Sequence, residues 1–357
     1  MRIAIACNSM PDSLERIIIE ERSQGMISQK PEGFQKTEPG GYKIAWITRQ
    51  GDDAVRKCAS DRPDLILMDL DLPVLDGVEA TRRIMRQSPC PILILASDLN
   101  ENTAKIFQAF GCGAVDAVNL PKIGRSASAQ FGRAALLRKI KTIALLQGSS
   151  SQYCCTSGRS SFTAKSDAKH VASLTVIGSS TGGPKTLVPI LAAIPSTYLS
   201  AIVIIQHLEK AFSGDLAHWL DAQVPMPVKL AENGDKPRAG VIYIAGTDDH
   251  LTLTHDLSFI YTPHPRHTPF RPSVDVFFKR VAASWPHKGT GILLTGMGRD
   301  GAQGLAALRR AGWHTIAQDK HTSIVYGMPR AAKELGAASE ILPAEKITSA
   351  LLKRRCR

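Results

Sequence analysis

Three stretches of this sequence carry residue types that could do covalent chemistry together. The first, SLTVIGSSTGGP, contains Gly178-x-Ser180-x-Gly182, the spacing of a nucleophile elbow that lifts a serine onto a sharp turn between strand and helix. Alone it says little, because a Gly/Ser-rich turn before a helix could equally hold a phosphate. The second, AIVIIQHLEK, places His207 just past an apolar run, and the third, GILLTGMGRDG, follows another such run with Asp300 in a glycine-rich loop. Each run reads as a strand of an open parallel sheet, and ligands gather outside the C-terminal edge of such strands. Ser180 would attack a carbonyl, His207 would take and return the proton, and Asp300 would hold the imidazole tautomer. Taken singly, His207 reads as a structural histidine and Asp300 as a loop residue; three strand ends together favour acyl chemistry. Ser179 stays open as an alternative nucleophile, outside the centre of the Gly-x-Ser-x-Gly turn. The chain order Ser, His, Asp departs from the Ser, acid, His order of α/β-hydrolases, so the elbow belongs to another fold.

A fourth stretch, PDLILMDLDLPVLDGVEATRRI, sets Asp69 at the end of an apolar run, with Pro73 and Gly77 shaping the loop that follows. A carboxylate in that place can accept a phosphoryl group if a divalent cation offsets the charge and a cationic side chain steadies the product. Asp71 and Asp76 read as loop residues that cap turns.

The elements that would position these groups alternate along the chain. In the first third, strands are expected over residues 3–7, 43–47, 65–68, 92–95 and 114–118, with helices over 12–22, 53–60, 78–87 and 103–110. Such β/α alternation implies a parallel sheet with helices on both faces. The polar segment 28–41 reads as a long loop. Residues 133–146 form a basic amphipathic helical pattern, and 148–169 have the Ser, Thr, Gly and Lys content of a flexible linker. Past it, strands are expected over 174–177, 201–205, 241–244, 251–254, 291–294 and 315–317, and helices over 185–194, 273–284, 302–311 and 329–335. The 357 residues thus divide into an α/β domain over 1–125, a basic helix and linker over 126–170, and a second α/β domain over 171–357.

Composition narrows the function classes. The formal net charge is +12, but residues 1–125 hold 16 basic against 17 acidic side chains, 126–170 hold 7 against 1, and 171–357 hold 21 against 14. With no DNA-reading motif beside it, the excess reads as solvated segments, and no nucleic-acid partner is expected. No apolar run nears the ~20 residues of a membrane-spanning helix, so no membrane insertion is expected. The opening MRIAIACNSM is unlike a signal peptide, which points to the cytoplasm. The 7 cysteines form no CxxC pair, and the adjacent Cys154 and Cys155 read as free thiols. The histidines show no spacing such as HExxH, so no metal is expected in the second domain. His250, His264 and His267 read as surface or packing residues, although RPSVDVFF could bring Arg271 near the cleft. Trp219, Trp285 and Trp313 read as buried or half-buried aromatics.

The segment around Asp69 resembles the receiver domain of response regulators, over roughly residues 1–122. That resemblance implies a five-stranded, flavodoxin-like fold, Asp69 as phosphoacceptor and Mg²⁺ beside it. Departures are visible. Where receivers carry an acidic pair, this sequence has Cys7-Asn8-Ser9; the hydroxyl position matches Ser97; and the lysine position is Leu120, with Lys122 two residues on. Neutral Asn8 and Ser9 replace carboxylates poorly, each lost contact costing on the order of 1–3 kcal/mol. Weak metal binding and slow phosphorylation follow, and a vestigial, docking and gating role for the domain is the alternative.

In the second domain GSSTGG, IIQHL, VIYIAGTDDHL, RPSVDVFF, LLTGMGRDGA and QDKHTSIVYGMPRAA together resemble the catalytic domain of chemotaxis protein-glutamate methylesterases, the CheB family, over roughly residues 171–352. The resemblance implies a Rossmann-like, doubly wound parallel sheet with Ser180 as nucleophile, His207 as base and Asp300 as third member. It also implies an oxyanion contact from the backbone around Met297, with Thr181 lining the site. The implied reaction is hydrolysis of glutamyl methyl esters on chemoreceptors, with deamidation of glutamines in many members, and no cofactor for the esterase. The implied partners are a methylated chemoreceptor and a histidine kinase of the CheA type. The incomplete receiver is similar to that of the Wsp-type branch, which suggests a surface-sensing pathway. Two other readings compete: a non-catalytic regulator that binds receptor and kinase, and a general esterase for small substrates.

Overall fold

The structure is a computed structural model that describes residues 1–24, 41–99, 101–121, 124, 127–144, 173–208 and 210–353. The long polar segment through residue 40, Lys122, the linker with Cys154 and Cys155, and residues 354–357 lie outside the described residues. The chain divides into two compact units, Met1–Gly148 and Ser149–Arg357.

The first unit is a five-stranded parallel sheet in the order β2-β1-β3-β4-β5. Its strands are β1 (Arg2–Ala6), β2 (Lys43–Thr48), β3 (Leu65–Asp69), β4 (Ile92–Ala96) and β5 (Asp116–Asn119), alternating with α1 (Pro11–Gln24), α2 (Gly51–Ser60), α3 (Gly77–Gln87), α4 (Thr103–Cys112) and α5 (Ala127–Ala144). Strands β3 and β4 are buried at every position. That is why they read as unbroken apolar runs, since helices cover both sheet faces. Asp76 caps α3, its carboxylate accepting from the Glu79 N–H at 2.8 Å, the turn-capping role expected of it. Helix α5 corrects the expected boundary at residue 125: it starts at Ala127 and belongs to the first unit. Leu136, Leu137, Ile140 and Ile143 are buried, and Lys139 donates to Asp116 Oδ1 and the Ala117 carbonyl at the start of β5. Its basic residues had made it look like part of the connecting stretch, whereas its apolar face completes the sheet's cover.

The second unit is built on a seven-stranded parallel sheet in the order β14-β13-β12-β6-β7-β9-β8. The central strands are β12 (Thr290–Leu293), β6 (Leu174–Ser179), β7 (Ala201–Gln206) and β9 (Ile242–Ile244), flanked by β8 (Val228–Leu230), β13 (His314–Gln318) and β14 (Glu340–Leu342). Helices α6 (Gly183–Ala192), α7 (Lys210–Asp221), α8 (Val274–Ser284), α9 (Ala302–Arg310), α10 (Met328–Glu334) and α11 (Ala344–Lys353) pack around it. Val176, Val203, Ile205, Phe277, Phe278 and Val281 lie in one fully buried cluster that joins β6, β7 and α8. The sequence reading passed over α7, α11 and the three-residue edge strands β8 and β14. One expected strand lies outside this sheet. The run near 251–254 is β10 (His250–Leu253), which pairs antiparallel with β11 (Phe259–Thr262) in a separate hairpin. The reason is length: β9 and β10 are five residues apart, whereas a parallel neighbour needs a crossover of about a dozen residues or more.

Candidate active site

Strands β12, β6 and β7 are adjacent in the sheet, and their C-terminal ends carry Asp300, Ser180 and His207 in the loops that follow. In the β6/β7 pairing Ser179 stands opposite Gln206, and the His207 N–H donates to the Ser179 carbonyl at 3.0 Å. Ser180 and His207 therefore leave neighbouring strands at the same level, where strands lie about 4.8 Å apart. The Ser180 N–H donates to the Thr295 carbonyl at 3.0 Å, tying the elbow to the β12 side as well.

The turn beyond Ser180 is closed by Gly182, whose φ of 78° is the left-handed region, and the chain then enters α6 with Pro184 in its first turn. Ile324 fills the space where a Cβ on residue 182 would fall, so both backbone and neighbours demand glycine there. The two serines are separated by their partners. Ser179 is fully buried and its Oγ donates to Gln206 Oε1 at 2.6 Å. Ser180 is half-buried, and its Oγ has no hydrogen bond among the described residues. Of the two hydroxyls, only that of Ser180 is available to react. Gln206, missed by the sequence reading, ties the elbow to His207: its Nε2 donates to the carbonyls of Ser180 at 2.9 Å and His207 at 3.2 Å.

His207 and Asp300 form a buried pair, Nε2 to Oδ2 at 2.7 Å. The ring stacks flat on Phe270, with centroids 4.4 Å apart and planes 7° apart. His207 Nδ1 is buried and has no hydrogen-bond partner. With Nε2 held by the carboxylate, Nδ1 carries the free lone pair that a general base requires.

Asp300 sits at the N-terminus of α8, where backbone N–H groups and the helix dipole favour negative charge. Beyond His207 it accepts from Ser273 Oγ at 2.8 Å, from the Val274 N–H at 2.7 Å and from the Asp275 N–H at 3.1 Å. Burial opposes its ionisation, yet His207 and the donors from Ser273 and Val274 outweigh that effect and hold the carboxyl below its usual value. Ser273 also caps α8, its Oγ accepting from Val276 N–H.

The loop of Met297 also meets Ser180. A Cβ on Gly296 would fall 2.8 Å from Ser180 Cβ and 2.2 Å from Met328 Sδ, so Gly296 packs directly on the elbow and carries Met297 beside it. Met297 is part-exposed, and the Thr181 carbonyl accepts from Thr295 Oγ1 at 3.0 Å. Of the surface and packing alternatives expected for His250, the structure shows the packed one: it is fully buried, with polar partners on both ring nitrogens. Arg271 follows Phe270 in the segment against His207 and is exposed.

In the first unit Asp69 is buried at the C-terminal end of β3. Its Oδ2 accepts from the Cys7 thiol at 3.4 Å and its Oδ1 from the Asp71 N–H at 3.2 Å. Burial pushes the Cys7 thiol up, so it stays a protonated donor. Asn8, Ser9 and Ser97 are exposed at the neighbouring strand ends. Leu120 follows β5 with its N–H on the Ala96 carbonyl. Lys105 pairs with Asp71 at 2.9 Å. No cluster of three His, Cys, Asp or Glu side chains able to hold a metal occurs among the described residues. A single carboxylate beside a protonated thiol is a poor fit for Mg²⁺, a hard cation held by one or two carboxylates together with waters and phosphate oxygens. Among the described residues no helix is long and apolar enough to cross a membrane.

Comparison with known proteins agrees with both units. Residues 175–351 match the CheB methylesterase family, and residues 35–122 match the response regulator receiver domain. The chain is 49% identical over 310 residues to protein-glutamate methylesterase/protein-glutamine glutaminase 2 of Cupriavidus metallidurans, covering 87% of this chain and 90% of that protein. It is 45% identical to the corresponding protein 1 of Bordetella avium, over 99% of this chain and 97% of the other. The Thermotoga maritima CheB methylesterase catalytic domain superposes with a TM-score of 0.50 at 36% identity, covering 52% of this chain and all of that one. The chain belongs to the CheB methylesterase family, in the form that carries an N-terminal response regulator receiver domain.

Proposed function

We infer that the protein hydrolyses glutamyl methyl esters on the cytoplasmic helices of chemoreceptors, and deamidates glutamines there, by a Ser180-His207-Asp300 mechanism gated by its receiver unit. The observation that carries this reading is the His207 ring, paired to Asp300 through Nε2 with a bare, buried Nδ1, beside a strand end that presents the unpartnered Ser180 hydroxyl. The protein-glutamate methylesterase/protein-glutamine glutaminase names of its relatives supply the substrate class.

In the first half-reaction Ser180 Oγ attacks the side-chain carbonyl while His207 Nδ1 takes its proton, giving a tetrahedral oxyanion. Collapse expels methanol, or ammonia from glutamine, which leaves with that proton. Water then attacks the acyl-enzyme, giving its proton to His207 Nδ1, and the acid is released as Ser180 is restored. Asp300 remains ionised throughout and stabilises the transient imidazolium. The oxyanion contact is assigned to the backbone around Met297, carried by the Gly296 that packs on Ser180, with Thr181 lining the same cleft; one such donor is worth about 2.7–4 kcal/mol.

Asp69 is the position at which phosphorylation would act, supplied by a histidine kinase of the CheA type. With Asn8 and Ser9 in place of carboxylates and a poor fit for Mg²⁺, transfer to Asp69 is slow, and docking contributes to gating. A receptor of a surface-sensing pathway is the partner that this receiver suggests. The competing non-catalytic reading is not favoured, because nothing in pure binding calls for a buried His–Asp pair with an orphaned base nitrogen. The test follows methanol release from methylated receptor fragments by the full-length protein and its Ser180→Ala variant. Turnover in the first and none in the second is expected; demethylation by Ser180→Ala refutes the mechanism.

A further inference from the structure

The segment from Thr262 to Ser273 delivers two groups to the active site: Phe270, stacked on the His207 ring, and Ser273, whose hydroxyl and following amides hold Asp300. Past Thr262, the end of β11, nothing over residues 263–273 is regular secondary structure, so its own backbone does not fix where those groups stand. One side chain pins it at three points. His250, at the start of β10 and fully buried, has Nε2 3.1 Å from the Pro265 carbonyl and 3.0 Å from Thr268 Oγ1, while Nδ1 accepts from the Ser273 N–H at 3.1 Å. Thr268 Oγ1 donates to the same Pro265 carbonyl at 2.9 Å. Because an N–H points at Nδ1, that nitrogen must be bare, so the proton is on Nε2 and donates toward Pro265. The imidazole is therefore fully used, in one tautomer, and makes no contact with a reacting atom.

We propose that His250 is a positioning residue of the active site: it sets the strap between 262 and 273 so that Ser273 and the α8 amides meet Asp300 while Phe270 stays over His207. It acts in two arms. The Nδ1 arm fixes Ser273, one residue from the amides on Asp300, and the Nε2 arm fixes the part of the strap that leads to Phe270. A small shift of either moves the base relative to Ser180, to which reaction rates are steeply sensitive. The proposal rests on the triad reading above and extends it outward by one layer of hydrogen bonds.

The test uses the full-length protein with His250→Leu, His250→Asn and His250→Gln, measuring methanol release from methylated receptor fragments and covalent labelling of Ser180 by a fluorophosphonate. In His250→Leu, kcat and the labelling rate should both fall on the order of 10–100-fold, with KM held within about twofold. Asn places an acceptor where Nδ1 was and should recover much of the loss, whereas Gln reaches only the Pro265 side and should recover less. A folded His250→Leu with wild-type kcat overturns the proposal, as does a loss that tracks melting temperature equally in all three variants. Should the Leu variant not fold, the order of Asn above Gln decides, and Gln equal or better refutes it. Failure of the triad reading is recognised separately, as turnover by Ser180→Ala or absence of wild-type labelling at Ser180.

Discussion

Replacing Asp300 by Asn is the sharpest perturbation of the site, because it changes charge while preserving shape. The wild-type carboxylate accepts four hydrogen bonds, from His207, Ser273, Val274 and Asp275. An amide has only one oxygen for these four donors, and its NH₂ would face at least one of them. The relief is to turn His207 into the other tautomer, with a bare Nε2 accepting from the Asn and a proton on Nδ1, which can then no longer act as base. The electrostatic part can be sized independently. An imidazolium and a carboxylate with charge centres about 4 Å apart attract by ~4 kcal/mol at an effective dielectric constant near 20. Losing that stabilisation of the transition state alone corresponds to about a 10³-fold slower reaction, and the tautomer inversion brings the expected loss to about 10⁴-fold in kcat. The assay is methanol release from a methylated receptor fragment, with receptor binding and a melting curve measured on the same preparation. Binding should survive while kcat collapses. A folded Asp300→Asn protein within about tenfold of wild-type kcat would refute the assigned role of Asp300.

Ser179→Ala removes the donor to Gln206 Oε1 and should lower stability by about 1–3 kcal/mol while Ser180 still labels, as read by melting and by mass spectrometry of the labelled peptide. Gly296→Ala would drive a methyl group to 2.8 Å from Ser180 Cβ; kcat should fall on the order of 10–100-fold, and an unaffected rate would show that the elbow is looser than drawn. The folded Asp300 carboxyl titrates below its unfolded value, so its contribution to stability is present above about pH 3.9 and is lost as pH falls through the lower folded value; acid denaturation of Asp300→Asn should lack that component. In the receiver, Asn8→Asp with Ser9→Asp should raise Mg²⁺ affinity about tenfold or more by calorimetry, and no change would mean that these positions do not face Asp69.

Much of this was legible in the chain because burial on both faces of a parallel sheet writes strands as unbroken apolar runs. The strands leading to Ser180, His207, Asp300 and Asp69 could all be read that way, and the residue just past each run is where a ligand-facing group must stand. The short edge strands β8 and β14 were not, since each has three residues, a charged one among them, and neither is fully buried, whereas the equally short β9 is. The strand β10 was legible, but its place in a separate hairpin was not, because pairing direction depends on connection length rather than on local apolarity.

At the site, sequence alone determined the chemical types: a serine on a glycine turn, a histidine, an acid, and a receiver missing its acidic pair. Only tertiary structure distinguishes Ser179 from Ser180, by engaging one hydroxyl with Gln206 and leaving the other without a hydrogen bond among the described residues. It also leaves His207 Nδ1 bare while Nε2 meets Asp300, and it recruits Ser273, Phe270 and His250, whose partners lie 15–63 positions away along the chain. The physical reason is that hydrogen-bond donors and stacked rings act through distance and direction in space. A local pattern records which groups are present, and the packing of α8 and the strap against the strand ends settles which of them meet.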